Sequence, residues 1–121
     1  MRVLIVDDEA DVREVMRRLL LPHVAQVDVA ADAAAAEAMA AAGYDVLLVD
    51  VILPDMDGAT LIRRLRARGV RARIVAMSGG GPACSGLEAL ARAEALGADA
   101  LLFKPFGVER LLDAVLDGAH A

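Results

Sequence analysis

The sequence predicts a doubly wound α/β fold, in which five parallel strands form the middle layer of a three-layer sandwich and five helices cover its two faces. Short apolar runs alternate along the 121 residues with segments of helical period. Continuous apolar strands are typical of a parallel sheet covered on both faces, since neither side of such a strand meets water. The length favours one domain, residues 1–121, because a chain of this size buries roughly 60 to 70% of its unfolded surface.

The five predicted strands are short apolar runs, four of them ended by polar residues. They are Val3–Val6, the weaker Gln26–Ala30, Val46–Val49, Ile74–Met77 and the run that ends at Lys104.

The helices are predicted where apolar residues recur three or four positions apart. Such stripes are Val12, Val15, Met16 and Leu19, then Leu61, Ile62 and Leu65, and finally Val108, Leu111, Leu112 and Val115.

The second helix is predicted from composition, over the Ala-rich segment Ala33–Ala42. Asp32 is expected to cap its start and Gly43 to end it, since these residue types favour those two positions. Three more glycines are expected to end helices, and the Gly-rich segment Gly79–Gly86 is expected to form a loop before the fourth helix. Those three glycines are Gly69, Gly97 and Gly118.

Composition excludes several classes of function. The net charge of -5 disfavours binding to nucleic acid or to an anionic membrane, since phosphate groups are bound through clustered Lys and Arg. With Cys84 as the only cysteine there is no internal disulfide, and no zinc-ligand spacing involves His23 or His120. The first residues lead directly into a strand without a signal-peptide pattern, so a cytoplasmic location is expected.

Polar side chains stand at the carboxyl ends of four predicted strands. Asp7 and Asp8 follow the first strand, Asp50 the third, Ser78 the fourth and Lys104 the fifth. In an open parallel sheet the ligand crevice lies outside these ends, at the point where the strand order reverses. The spacing therefore predicts one active centre built from four separate stretches of sequence.

These residue types suit phosphoryl transfer. Three carboxylates at one rim repel one another, and a divalent cation relieves that repulsion. Few protein ligands and a need for bound water favour Mg²⁺ over Ca²⁺. With a metal present, Asp50 can act as the nucleophile and become an aspartyl phosphate, while Ser78 and Lys104 contact phosphoryl oxygens.

With these residues in these positions, the chain resembles the bacterial response-regulator receiver domain family over essentially its whole length. The resemblance rests on the order and spacing of motifs on alternating elements. These motifs are Asp7-Asp8-Glu9, Val49-Asp50-Val51-Ile52-Leu53-Pro54-Asp55-Met56-Asp57-Gly58, Ser78 and Lys104-Pro105-Phe106.

The resemblance implies a flavodoxin-like strand order, 2-1-3-4-5, and a role for each site residue. By that resemblance Asp50 is the phospho-acceptor, Asp8 a direct Mg²⁺ ligand and Asp7 a ligand acting largely through water. The backbone carbonyl of Ile52 completes the protein ligands.

The resemblance also assigns the signalling residues and the partners. Ser78 matches the family's switch hydroxyl and Lys104 its lysine, followed by Pro105, where a cis bond is expected. A sensor histidine kinase or a histidine phosphotransfer protein would donate the phosphoryl group. An unknown protein would read the result, from a domain that is a monomer or weak dimer and not a turnover enzyme.

Three features depart from the family pattern. The position of the switch aromatic holds Leu101, and Phe103 is expected to point to the opposite face of the sheet from Lys104. Ser78 and Lys104 stand 26 residues apart, which is several more than the common spacing, and the excess falls in the Gly-rich loop. Two residues past Asp50 and Ser78 stand Ile52 and Gly80, which cannot orient water, so a long-lived phosphoryl group is expected.

Other interpretations stay open at this stage. Asp8 could be an ordinary helix cap, Asp50 part of a turn, and Ser78 and Lys104 structural or surface residues. An aspartyl-nucleophile phosphatase would need a second acid, commonly two residues past the nucleophile, where this chain has Ile52. A flavin or nucleotide binder would need a phosphate-cradling loop after the first strand, where the chain is acidic. A protein-binding adaptor that keeps the fold without phosphorylation remains possible because of Leu101.

Overall fold

The computed structural model describes residues 1–78 and 84–116, which form ten alternating strands and helices. None of the helices in these two ranges is both long and apolar enough to span a membrane. In chain order the elements are β1 (Arg2–Val6), α1 (Ala10–Leu20), β2 (Gln26–Ala30), α2 (Ala33–Ala40), β3 (Val46–Asp50), α3 (Gly58–Ala67), β4 (Arg73–Ser78), α4 (Cys84–Leu96), β5 (Ala100–Phe103) and α5 (Val108–Leu116).

The five strands form one parallel sheet in the order β2-β1-β3-β4-β5. This is the order that the sequence resemblance implied. The order reverses at β1, since β2 lies on one side of it and β3 on the other. A crevice is therefore expected outside the carboxyl ends of β1 and β3.

Alternate residues of the central strands face two separate hydrophobic clusters. Leu4 and Leu47 belong to a cluster that includes residues of α2, α3 and α4. Val3 and Val46 belong to the other cluster, which α1 and α5 complete through Met16 and Leu111 among others. The sheet is thus covered on both faces, which explains why its central strands β1 and β3 are almost continuously apolar.

Two predicted boundaries are corrected by the structure. α2 ends at Ala40 rather than Ala42, and the chain then turns through Gly43, whose φ of 84° is favourable only for glycine. The predicted loop Gly79–Gly86 is too long, because α4 already begins at Cys84. A glycine such as Gly86 costs a helix only about 1 kcal/mol, which the packing of α4 against α3 and β4 can offset. Residues 79–83 and Gly118 lie outside the described residues.

Candidate functional site

The sheet brings the predicted site residues together at its carboxyl edge. Asp50 and Ser78 are the last residues of β3 and β4, while Asp7 and Lys104 directly follow β1 and β5. The parallel register places Val6 beside Val49 and Asp50 beside Met77, so the strand ends are level. Four distant stretches of sequence therefore contribute side chains to one crevice.

Three carboxylates form a compact acidic cluster in this crevice. One oxygen from each of Asp7, Asp8 and Asp50 lies within 4.8 Å of the other two. Asp7 is fully buried and Asp50 nearly so, whereas Asp8 is exposed at the mouth. Such a cluster needs positive charge nearby, because buried carboxylates without a counter-ion are strongly disfavoured.

Lys104 supplies part of that charge. Its Nζ donates hydrogen bonds to Asp7 Oδ2 at 2.5 Å and to Asp50 Oδ2 at 2.9 Å. The lysine is held in place because its backbone N–H donates to the Ser78 carbonyl at 2.8 Å, and its peptide bond to Pro105 is cis, as expected. The ammonium therefore bridges two carboxylates that come from different strands.

The site shifts the pKa values of two groups. Burial raises the pKa of Asp50, although the Ile52 N–H and the Lys104 ammonium act in the opposite direction. For Lys104, burial by itself would lower the pKa, but hydrogen bonds to Asp7 and Asp50 outweigh it, so the pKa is raised. The lysine thus stays charged, while the Asp50 carboxylate is in an environment that disfavours its charge.

The loop after β1 is fixed by its own backbone contacts. Asp7 Oδ1 accepts a hydrogen bond from the Glu9 N–H at 2.9 Å, and the Arg13 guanidinium donates to the Asp7 carbonyl oxygen at 2.7 Å. α1 is capped at Glu9 without a side-chain hydrogen bond, so Asp8 is not its N-cap. Sequence reasoning missed Arg13, whose only signal was its place on the first helix close to Asp7.

The loop between β3 and α3, residues 51–57, closes tightly against Asp50. Asp50 Oδ1 accepts from the Ile52 N–H at 2.8 Å, and the Gly58 N–H donates to the Val51 carbonyl at 2.9 Å. A Cβ on Gly58 would lie 2.2 Å from the Asp50 carbonyl oxygen, so only glycine fits there. The close approach of the Asp50 carbonyl therefore explains why residue 58 is a glycine, which the turn sequence alone does not explain.

Two further carboxylates attach the 51–57 loop to neighbouring helices. Asp55 accepts hydrogen bonds from the Ala33 and Ala34 N–H groups at the start of α2, at 2.9 and 3.0 Å. Asp57 caps α3 by accepting from the Ala59 N–H and forms an ion pair with Arg92 of α4. The contacts of Asp55 with α2 and of Asp57 with Arg92 were not foreseen, because the residues involved are distant in sequence.

The remaining predicted positions lie around the crevice. Ser78 is buried at the end of β4, close to the backbone of Lys104. Leu101 is half-buried and packs against the cluster that contains α2 to α4, whereas Leu102 belongs to the other cluster. Phe103 is 50% exposed, so this aromatic ring lies at the surface of the edge strand β5.

The site geometry agrees with the comparison to known families. The profile of the response regulator receiver domain matches residues 3–116. This chain belongs to the response regulator receiver domain family. Receiver domains of this family are components of two-component signalling systems, which confirms the resemblance inferred from the motifs.

Individual relatives support the same assignment. The receiver domain is 30% identical to the chemotaxis protein CheY of Bacillus subtilis (strain 168) over 116 residues, 94% of this chain and 93% of that protein. It is 39% identical to the response regulator MprA of Mycobacterium avium (strain 104) over 113 residues. That match covers 93% of this chain but 48% of MprA, so the chain spans about half the length of MprA.

Solved structures show the same fold. A CheY-like receiver domain protein from Methanospirillum hungatei JF-1 superposes with a TM-score of 0.87 at 26% identity, covering 98% of this chain and 93% of that one. FixJ-N superposes with a TM-score of 0.87 at 28% identity, over 98% and 93% of the two chains. The strand order 2-1-3-4-5 is therefore shared with other receivers.

Proposed function

We propose that this receiver domain accepts a phosphoryl group on Asp50 in an Mg²⁺-dependent reaction and thereby changes its contacts with other proteins. The observation that carries this proposal is the position of Asp50. It is a nearly buried carboxylate that meets Lys104 on one oxygen and the Ile52 N–H on the other, beside two more carboxylates. Asp7, Asp8, Asp50 and the carbonyl of Ile52 would hold the metal.

The charges of the described cluster fit a divalent cation. Asp7, Asp8 and Asp50 can carry three negative charges, and Lys104 contributes one positive charge, which leaves two negative charges. The ligand set consists of oxygen atoms, and Asp8 faces solvent, so bound water can complete the coordination. A hard ion that retains several waters, such as Mg²⁺, matches this set. When bound, the metal would neutralise phosphoryl oxygens near the acceptor.

The chain's own residues can perform the other parts of the reaction. A bond forms between phosphorus and an Asp50 oxygen while the phosphorus–nitrogen bond of a phosphohistidine donor breaks. The donor imidazole leaves with that electron pair and takes a proton from water, so no acid from this chain is needed. Lys104 would stabilise one phosphoryl oxygen, and the Ser78 side chain would bind another.

The same groups favour storing the phosphoryl group over hydrolysing it. Hydrolysis by an aspartyl-nucleophile enzyme needs an acid or base that activates water, commonly two residues past the nucleophile. That position holds Ile52, an aliphatic side chain that is 61% exposed. A stable phosphoryl group suits a signalling domain, whereas a phosphatase needs turnover.

The proposed partners are proteins of the cytoplasm. The donor would be a sensor histidine kinase or a histidine phosphotransfer protein, in keeping with the two-component family. A downstream protein would recognise the phosphorylated form, and the negative net charge of -5 argues against direct nucleic-acid contact. Ser78 ends β4 and Lys104 directly follows β5, so a phosphoryl group bound by both side chains would alter the structure at the ends of these two strands.

The proposal is tested by intact mass after incubation with Mg²⁺ and acetyl phosphate, a small phosphodonor. A single phosphate adduct is expected for the wild type, and none for Asp50→Asn or for wild type in the presence of a chelator. Asp32→Asn provides a control for the loss of one carboxylate outside the site, because Asp32 caps α2 and does not belong to the acidic cluster. Labelling of Asp50→Asn at the wild-type level would place the acceptor elsewhere. No labelling of folded wild type from acetyl phosphate or from a phosphorylated phosphotransfer protein would favour the phosphorylation-independent adaptor.

A further inference from the structure

The N-terminus of α2 has its backbone donors satisfied by two different carboxylates. The first four N–H groups of a helix have no partner within the helix and must find one elsewhere. Asp32, the local N-cap, provides a partner for one of them with its side chain, and its carbonyl accepts the first hydrogen bond of the helix itself. Its side chain accepts from the Ala35 N–H and its carbonyl accepts from the Ala36 N–H.

The Ala33 and Ala34 N–H groups, which also need partners outside the helix, donate to a residue that is distant in sequence. Asp55 Oδ1 accepts from the Ala33 N–H at 2.9 Å and Asp55 Oδ2 accepts from the Ala34 N–H at 3.0 Å. The two residues are separated from Asp55 by 22 and 21 positions in sequence. Hydrogen bonds to a carboxylate are about twice as strong as neutral ones, and the positive end of the helix adds to them.

Asp55 lies in the same short loop as the acceptor site. It is three residues after Ile52, whose N–H holds Asp50 Oδ1, and two residues before Asp57, which bridges to Ile52 through the backbone. The base of the loop is closed by the Gly58 N–H on the Val51 carbonyl. Its outer corner is attached to the body of the fold by Asp55.

We infer that Asp55 is a positioning residue for the acceptor site, because its two hydrogen bonds to α2 hold the 51–57 loop where Asp50 and the Ile52 carbonyl can bind Mg²⁺. This inference rests on the proposed function. Outer contacts that orient metal ligands typically change metal affinity by 10- to 100-fold when they are removed. Asp55 is exposed and lies three residues past Ile52, so we expect its removal to weaken Mg²⁺ affinity by about 10-fold, at the low end of that range.

The chain offers a matched control for this inference. Asp32→Ala removes a carboxylate from the same helix N-terminus and changes the net charge by the same amount as Asp55→Ala. Only Asp55→Ala removes the attachment of the 51–57 loop to α2, since the hydrogen bonds of Asp32 described above lie within the start of α2. A difference between the two variants therefore isolates the attachment of the loop from helix capping and from long-range charge.

The experiment measures Mg²⁺ affinity by isothermal titration calorimetry for wild type, Asp55→Ala, Asp55→Asn and Asp32→Ala, with folding checked by circular dichroism. About a 10-fold weaker affinity is expected for Asp55→Ala, a smaller loss for Asp55→Asn, which keeps one acceptor oxygen, and little change for Asp32→Ala. Equal affinities for Asp55→Ala and wild type, or equal losses for the two alanine variants, would overturn the inference.

Labelling separates this inference from the proposed function. If wild type binds Mg²⁺ and forms an adduct that depends on Asp50, the proposed function stands whatever the result for Asp55. If Asp55→Ala is unfolded, Asp55→Asn carries the test, and a wild-type affinity in that variant together with a wild-type labelling rate at limiting Mg²⁺ overturns the positioning role.

Discussion

Replacing Lys104 with methionine removes the ammonium that lies between Asp7 and Asp50 while keeping a side chain of similar length. The side chain of Lys104 is 13% exposed, and those of its two partners are 0% and 7% exposed. Removing one partner of a buried ion pair typically costs 3–5 kcal/mol, because the remaining charge is left without compensation. Since this site opens at the rim of the sheet, we expect Lys104→Met to lower the free energy of unfolding by about 3 kcal/mol in metal-free buffer.

Two conditions should restore much of that loss. Mg²⁺ supplies positive charge to the same carboxylates, and a ligand at 100 times its dissociation constant adds about 2.7 kcal/mol of stability. Acid should act similarly. The pKa of Asp50 is already raised by burial, and loss of Lys104 removes one influence that lowers it. A raised carboxyl pKa means that the folded state binds the proton more tightly, so the variant should recover stability, relative to wild type, as the pH falls from neutral toward the ordinary carboxyl pKa of 3.8.

Urea denaturation followed by circular dichroism measures these changes. The control is Arg18→Met, which also removes one cation, but one whose side chain is 76% exposed in its pair with Glu14. An exposed pair contributes little, so this control should show a small loss and the same stabilisation by Mg²⁺ as wild type. A wild-type unfolding free energy for Lys104→Met in metal-free buffer, or a loss that neither Mg²⁺ nor acid reduces, would refute the reasoning.

Three further outcomes are expected. Gly58→Ala should lose about 3 kcal/mol of stability in thermal or urea denaturation, because its Cβ would lie 2.2 Å from the carbonyl oxygen that ends β3, whereas Gly107→Ala, with no atom within 4 Å, should lose far less. The sole tyrosine, Tyr44, should titrate with a pKa of about 12 in ultraviolet absorbance, because burial and its hydrogen bond to Asp28 raise it; a folded protein that titrates at the ordinary value of 10.0 would contradict this. The phosphoryl group on wild type should persist far beyond seconds, and Ile52→Glu should shorten its half-life by supplying a carboxylate that can orient water.

The fold could be predicted from local patterns. The strand β3 begins at the predicted residue and ends one residue past the predicted range, because its apolar run is buried on both faces and ends at the polar Asp50. The edge strand β2 matches its predicted range although it is only partly buried. The boundary errors lie where packing overrides a local preference. α4 begins at Cys84 despite Gly86, and α2 ends two residues before its apolar composition does.

From the sequence it could be predicted which strand ends contribute residues to the site. Asp50, Ser78 and Lys104 follow from the rule that parallel strands present their carboxyl ends at one edge. The roles of these residues in binding a metal and a phosphoryl group remain predictions for the experiments above. Arg13 and Asp55 could not be found in this way, because each acts on a backbone group whose position depends on how a helix docks.

By itself the sequence determined the alternation of strands and helices, the choice of residues at the strand ends and the family, since all three depend on local order along the chain. Only the tertiary structure decided which of these residues meet. Lys104 bonds to Asp7 across 97 positions and to Asp50 across 54, and Arg66 of α3 links the Gly97 carbonyl to the Asp99 carboxylate. The physical reason is that hydrogen bonds need contact within about 3 Å, and the placement of separate elements to that accuracy depends on packing of the whole core.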